Sequence, residues 1–155
     1  MKVLIVEDEV LISTHLELLV SGFVHHVCAV AGSKSEAVAF AAAHLPDVAL
    51  MDIRLADGGS GIDAAKEIYA RHSIRCIFLS ANLDAAARNA VRGYEPVEFV
   101  GKPILASLLR RALEQAVSSL NRLGFPNRHC SDSTCWLGGG QRGWPVHIRK
   151  TCATG

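Results

Sequence analysis

The sequence has no uninterrupted apolar run near the roughly 20 residues that a bilayer-spanning helix needs, so a membrane segment is excluded. It also has no secretory leader pattern, because Met1 to Val6 runs straight into Glu7-Asp8-Glu9. The cytoplasm is the expected address. Cysteine is too sparse and too irregular for a disulfide framework: there are five, an odd count. Cys28 and Cys76 lie in apolar, strand-like runs, where a thiol behaves as a small buried hydrophobe. Cys130, Cys135 and Cys152, with His129 and His147, are metal-ligand types, but their spacing matches no zinc pattern. Neither glycine-rich phosphate fingerprint is present, since Gly58-Gly59-Ser60-Gly61 fits no dinucleotide or P-loop spacing. There is no internal repeat.

What is present suits one compact domain and a short appendage. The chain has 155 residues, half of them apolar and a fifth charged. Residues 1–121 hold 11 Lys and Arg against 14 Asp and Glu, whereas residues 122–155 hold 5 against 1. The change of sign marks a boundary. Beyond it, Gly124-Phe125-Pro126, Gly138-Gly139-Gly140 and Gly143-Trp144-Pro145 interrupt every period before a core could form. Residues 122–155 are therefore read as a disordered basic tail. Arg142, Arg149 and Lys150, with Trp136 and Trp144, offer no clear nucleic-acid signature.

Ahead of the boundary, strand and helix patterns alternate five times. Lys2 to Val6 is a β-branched, apolar strand, and Ile12, Leu16, Leu19 and Phe23 then mark one face of a helix that closes near Gly22. Val24 to Val30 reads as a second strand, with His25 and His26 solvent-facing and without a role. Ser33 and Glu36 form a capping-box pair before an alanine-rich helix that ends near His44 and Pro46. Asp47 to Met51 is the third strand, followed by Arg54 to Gly61, a loop read as too flexible for the core. Ile62, Ala65 and Tyr69 share a helix face, and Ile74 to Leu79 is the fourth strand. A short polar helix over Leu83 to Val91 precedes the fifth strand, Pro96 to Val100. Leu105, Leu108, Leu109, Ala112, Leu113 and Ala116 make the last helix strongly amphipathic. Five strand–helix units in succession imply a doubly wound α/β sandwich with a parallel sheet.

The strand ends carry the chemistry. Glu7 and Asp8 follow strand one, Asp52 ends strand three, Ser80 follows strand four, and Lys102 follows strand five. In open α/β folds the carboxyl edge of the sheet is where ligands bind. Three carboxylates at one edge repel unless a cation joins them, and all-oxygen ligands favour magnesium. Lysine and a hydroxyl suit phosphoryl oxygens. Taken singly, each residue has a duller explanation: a helix-first-turn acid, a turn serine, a solvated lysine. Their joint placement favours a site that holds a phosphoryl group on or beside Asp52.

The order acidic pair, lone Asp, Ser-Ala, aromatic and Lys-Pro, each at a strand end, resembles the receiver domain of two-component response regulators over residues 1–121. That resemblance implies a flavodoxin-like (βα)5 fold with strand order 2-1-3-4-5. It makes Asp52 the phosphoacceptor, taking its phosphoryl group from a histidine kinase or histidine phosphotransfer protein. Glu7, Asp8, Asp52 and the backbone carbonyl of Arg54 would hold Mg2+. Lys102 would pair with a phosphoryl oxygen, Ser80 (with Ala81 beside it) would be the switch hydroxyl, and Phe99 the switch aromatic. Lys102-Pro103 would be a cis peptide. Output is expected through a downstream protein target, on the faces of the fourth helix, fifth strand and fifth helix, and a homodimer is compatible with it.

Three features depart from the family pattern. The loop after Asp52 lacks a proline, Ser80 stands where threonine is also common, and Phe99 lacks a tyrosine hydroxyl. The alternative within the same fold is a pseudo-receiver, an interaction module that is never phosphorylated. An aspartyl-phosphate phosphatase is disfavoured because Arg54 occupies the place of a second carboxylate. The chain is not expected to be an enzyme.

Overall fold

Strand β1 (Lys2–Val6) sends Val3 and Ile5 to one face of a sheet and Leu4 and Val6 to the other, and all four are buried. Burial on both faces is what a parallel strand covered by helices on each side requires. The same logic forms β3 (Val48–Asp52), buried along its whole length, and β4 (Arg75–Ser80). Two edge strands complete the sheet, β2 (His26–Ala31) and β5 (Glu98–Gly101). The order is β2-β1-β3-β4-β5, all parallel, as expected for a flavodoxin-like fold. These features come from a computed structural model that describes residues 1–55, 58–81 and 85–122.

Helices α1 (Val10–Gly22) and α5 (Ala106–Arg122) cover the face built on Val3, Ile5, Leu50, Ile77 and Leu79. Helices α2 (Lys34–His44), α3 (Gly61–His72) and α4 (Ala85–Val91) lie over the face built on Leu4, Met51 and Phe78. Helix α2 starts as its sequence suggests: the Ser33 hydroxyl accepts from the Glu36 amide at 3.2 Å. The Glu36 carboxylate reaches one residue further back than a strict capping box, accepting from the Gly32 amide at 2.9 Å. Among the described residues no helix is long and apolar enough to cross a membrane.

Several expectations shift by a residue or more. Strand β2 starts at His26, because Val24 takes a left-handed backbone (φ 63°) and is 90% exposed. His25 is not solvent-facing as expected; it is half-buried, and its Nδ1 is buried with no hydrogen-bond partner among the described residues. Helix α5 starts after Leu105, which is 57% exposed, and Leu108 is 43% exposed, so the buried stripe is Leu109, Ala112, Leu113 and Ala116. Within the stretch expected to stay out of the core, Leu55 and Gly61 are buried, while residues 56 and 57 lie outside the described residues. Leu83 and the stretch from residue 123 onward lie outside the described residues.

Candidate functional site

The carboxyl edge of the sheet gathers the ends of β1, β3, β4 and β5. Asp52 closes β3, and the chain then doubles back. The Ile53 amide donates to the Leu79 carbonyl at 3.2 Å, and the Gly61 amide returns to the Ile53 carbonyl at 3.0 Å. An antiparallel bridge pairs Arg54 with Ser60. Ser60 then caps α3, its hydroxyl accepting from the Asp63 amide at 3.3 Å. Asp52 is thus held by ordered backbone on both sides.

Lys102 Nζ donates to Asp52 Oδ2 at 2.7 Å and to Glu7 Oε2 at 2.8 Å. The second Asp52 oxygen, Oδ1, accepts from the Arg54 amide at 3.3 Å. The Lys102 amide donates to the Ser80 carbonyl at 2.9 Å, which locks the end of β5 to the end of β4. The Lys102-Pro103 peptide is cis, as expected. Glu7 is 2% exposed. Burial pushes its carboxyl above the ordinary carboxylate range, with Asp52 adding to the rise and Lys102 opposing it. For Lys102, burial alone would lower the ammonium, but the bonds to Asp52 and Glu7 outweigh it and hold the group above its ordinary value.

Glu7, Asp8 and Asp52 each place one carboxylate oxygen within 4.8 Å of the others. The remaining Glu7 oxygen, Oε1, is buried and has no hydrogen-bond partner among the described residues. A buried carboxylate oxygen left unpaired is costly. An all-oxygen cluster with one unsatisfied atom fits a hard divalent cation such as Mg2+. Beside this cluster opens a cavity of about 450 Å³, lined among others by Asp8, Asp52, Arg54, Ser80, Ala81 and Lys102.

Six of the residues that line this cavity carry a site signal in the sequence, whereas Glu9 and Leu55, which also line it, carry none. Phe99 is not among the lining residues. Its ring stacks on Phe78 at 5.3 Å between centroids, 21° between planes, one strand over. Two further residues pack next to the site residues without lining the cavity. Gly61 packs against the Asp52 backbone carbonyl, and the Arg88 guanidinium lies 4.8 Å from the centre of the Phe99 ring. The first could be suspected from a glycine at a helix start, but no local signal marks the second.

A model of the response regulator receiver domain matches residues 3–114, and the chain belongs to this family. It is 35% identical over 117 residues to the phyllosphere-induced regulator PhyR of Methylorubrum extorquens, a match covering 75% of this chain and 43% of that protein. It is 32% identical over 122 residues to the transcriptional regulatory protein PdtaR of Mycobacterium tuberculosis, covering 79% and 59%. The chain therefore spans about half the length of these relatives. Among solved structures it is similar to the signal receiver domain of a modulated diguanylate cyclase from Desulfovibrio desulfuricans G20. That likeness has a TM-score of 0.72 and 29% identity, and covers 79% of this chain and 97% of the other.

Proposed function

We propose that the chain accepts a phosphoryl group on Asp52 from a phosphohistidine of a histidine kinase or histidine phosphotransfer protein. The observation that carries this reading is the shared ammonium of Lys102, held between Asp52 and Glu7 beside an open cavity. An Asp52 carboxylate oxygen attacks phosphorus, an O–P bond forms, and the P–N bond of the donor breaks with its electron pair returning to the imidazole. Phosphoryl transfer demands positioning and charge neutralisation above all. Asp52 is positioned by the Arg54 amide, and Lys102 exchanges a carboxylate oxygen for a phosphoryl oxygen. Glu7, Asp8, Asp52 and the Arg54 carbonyl would hold Mg2+, which when bound supplies charge neutralisation for the transferred group. Ser80, at the end of β4, stands beside the product.

The chain acts as a phosphoacceptor rather than a turnover catalyst. A charge gain at the sheet edge biases the ends of β4 and β5. Output then runs through protein contacts on α4, β5 and α5, either with a downstream target or with a second copy. Incubation with acetyl phosphate or a phosphorylated donor and Mg2+, followed by intact mass measurement, tests the reading. The wild type should gain one phosphoryl group and Asp52→Asn none. Equal gain by both proteins overturns it. No gain in either, together with amide shifts near Asp52 that ignore Mg2+, leaves a phosphorylation-independent pseudo-receiver as the function.

A further inference from the structure

Helix α4 is weakly tied to the rest of the fold. It has seven residues, and only Val91 among them is buried. Arg88 lies three positions before Val91, so the two project from neighbouring positions on one face of the helix. Arg88 is exposed, and its guanidinium sits 4.8 Å from the Phe99 ring centre. Among the described residues it has no carboxylate partner to compete for it. The nearest cation along the chain, Arg92, stands one turn on and repels rather than competes.

Phe99 is held between two unlike neighbours. Phe78 is almost fully buried and stacks on it, while Arg88 reaches it from the solvent-exposed helix. Phe78 lies two residues before Ser80 on β4, hence on the same face of that strand. Contacts therefore run from Phe78 through Phe99 to Arg88, and Phe78 shares its strand face with Ser80. At the outer end an aromatic face attracts a cation, an interaction sensitive both to the charge and to the flat shape of the guanidinium.

We infer that Arg88 is the positioning residue that holds Phe99 in its half-exposed place, and so is the restraint the phosphorylated state has to overcome. The second half of this statement rests on the phosphoacceptor reading; the first half does not. Removing Arg88 frees Phe99 and loosens α4 without touching Asp52, Lys102 or the carboxylate cluster. The unphosphorylated variant therefore moves toward the phosphorylated arrangement of β5 and α4.

The test uses the 155-residue chain, with Phe99 ring and amide signals assigned by their loss in Phe99→Leu. Spectra are recorded for the wild type, Arg88→Ala and Arg88→Lys, each with and without Mg2+ and beryllium fluoride as a phosphoryl stand-in. Without the stand-in, Arg88→Ala should shift the Phe99 signals most of the way along the line joining free and loaded wild type. Arg88→Lys, which keeps a cation but loses the planar group, should shift them less. Phe99 signals in Arg88→Ala that match free wild type, or that move off this line, overturn the inference. A wild-type spectrum unmoved by beryllium fluoride sinks the phosphoacceptor reading instead. The positioning role is then judged on the free proteins alone, and it fails if Arg88→Ala and wild type coincide.

Discussion

Gly61 packs against Asp52 so closely that a Cβ at position 61 would collide with the Asp52 backbone carbonyl. The contact comes from the loop itself: the Gly61 amide bonds the Ile53 carbonyl, which draws the start of α3 onto the end of β3. Glycine is required here for close approach, not for a left-handed backbone.

Gly61→Ala should therefore cost about 1–3 kcal/mol of stability, the usual range for overpacking a tight site. Relief needs backbone movement at Asp52, so the variant should also weaken phosphoryl uptake. Gly22 provides the contrast. It ends α1 with nothing within 4 Å of the place a Cβ would occupy, and Gly22→Ala should be neutral or stabilising by about 0.4–1 kcal/mol. Urea unfolding of the two variants beside wild type measures the difference. Equal effects would show that the Asp52 contact does not constrain position 61.

Lys102 joins two carboxylates that would otherwise face each other. Breaking a fully buried pair costs roughly 3–5 kcal/mol, but the Lys102 side chain keeps 15% of its surface in water. Lys102→Met should thus cost about 1–3 kcal/mol near neutral pH. The sign of its pH dependence follows from Glu7. A carboxyl whose folded value is already raised rises further when its cation is lost, so the folded variant holds a proton that the unfolded chain releases. The stability of Lys102→Met should accordingly increase as pH falls toward the ordinary carboxylate value of 4.5 and be lost as pH rises. Adding Glu7→Gln should recover part of the loss at neutral pH. Denaturant midpoints across that range, for single and double variants, check both statements.

Much of the site was legible because each of its residues ends an apolar run, and a strand's last polar residue lands at the sheet edge whatever its exact register. The features that were not legible depend on tertiary placement. His25 reads as exposed if strand two starts at Val24, but the left-handed turn at Val24 moves the strand start to His26 and turns the imidazole inward. Leu105 and Leu108 fit the helical period of α5, yet they precede or begin the helix where none of the described elements covers them fully. Arg88 sits in a helix with too little periodicity to say which way it faces.

Mg2+ should stabilise the chain through the carboxylate cluster. A ligand at a hundredfold excess over its dissociation constant, binding only the folded state, contributes about 2.7 kcal/mol. Thermal unfolding with and without Mg2+ should show an upward shift in wild type. Asp8→Asn should abolish most of it, because Asp8 contributes one of the three clustered oxygens and takes no part in the Lys102 pairing. Glu7→Gln should reduce it too, while removing the unpaired charge at Oε1. A shift in Asp8→Asn as large as in wild type would place the cation elsewhere.

His25 should make the fold sensitive to mild acid. Burial lowers its imidazole below the ordinary value of 6.5, and the positive N-terminus at Met1 lowers it further. Arg110 and Glu114 of α5 line the same groove, one of each sign, and among the described residues Nδ1 has no acceptor waiting for a proton. The unfolded chain therefore binds a proton more readily than the folded one. The stability contributed by neutral His25 is present above the ordinary value of 6.5 and is lost as pH falls through the lower, folded value. His25→Leu should flatten the decline in denaturant midpoint over that window. The same decline in wild type and His25→Leu would assign the acid sensitivity to other groups.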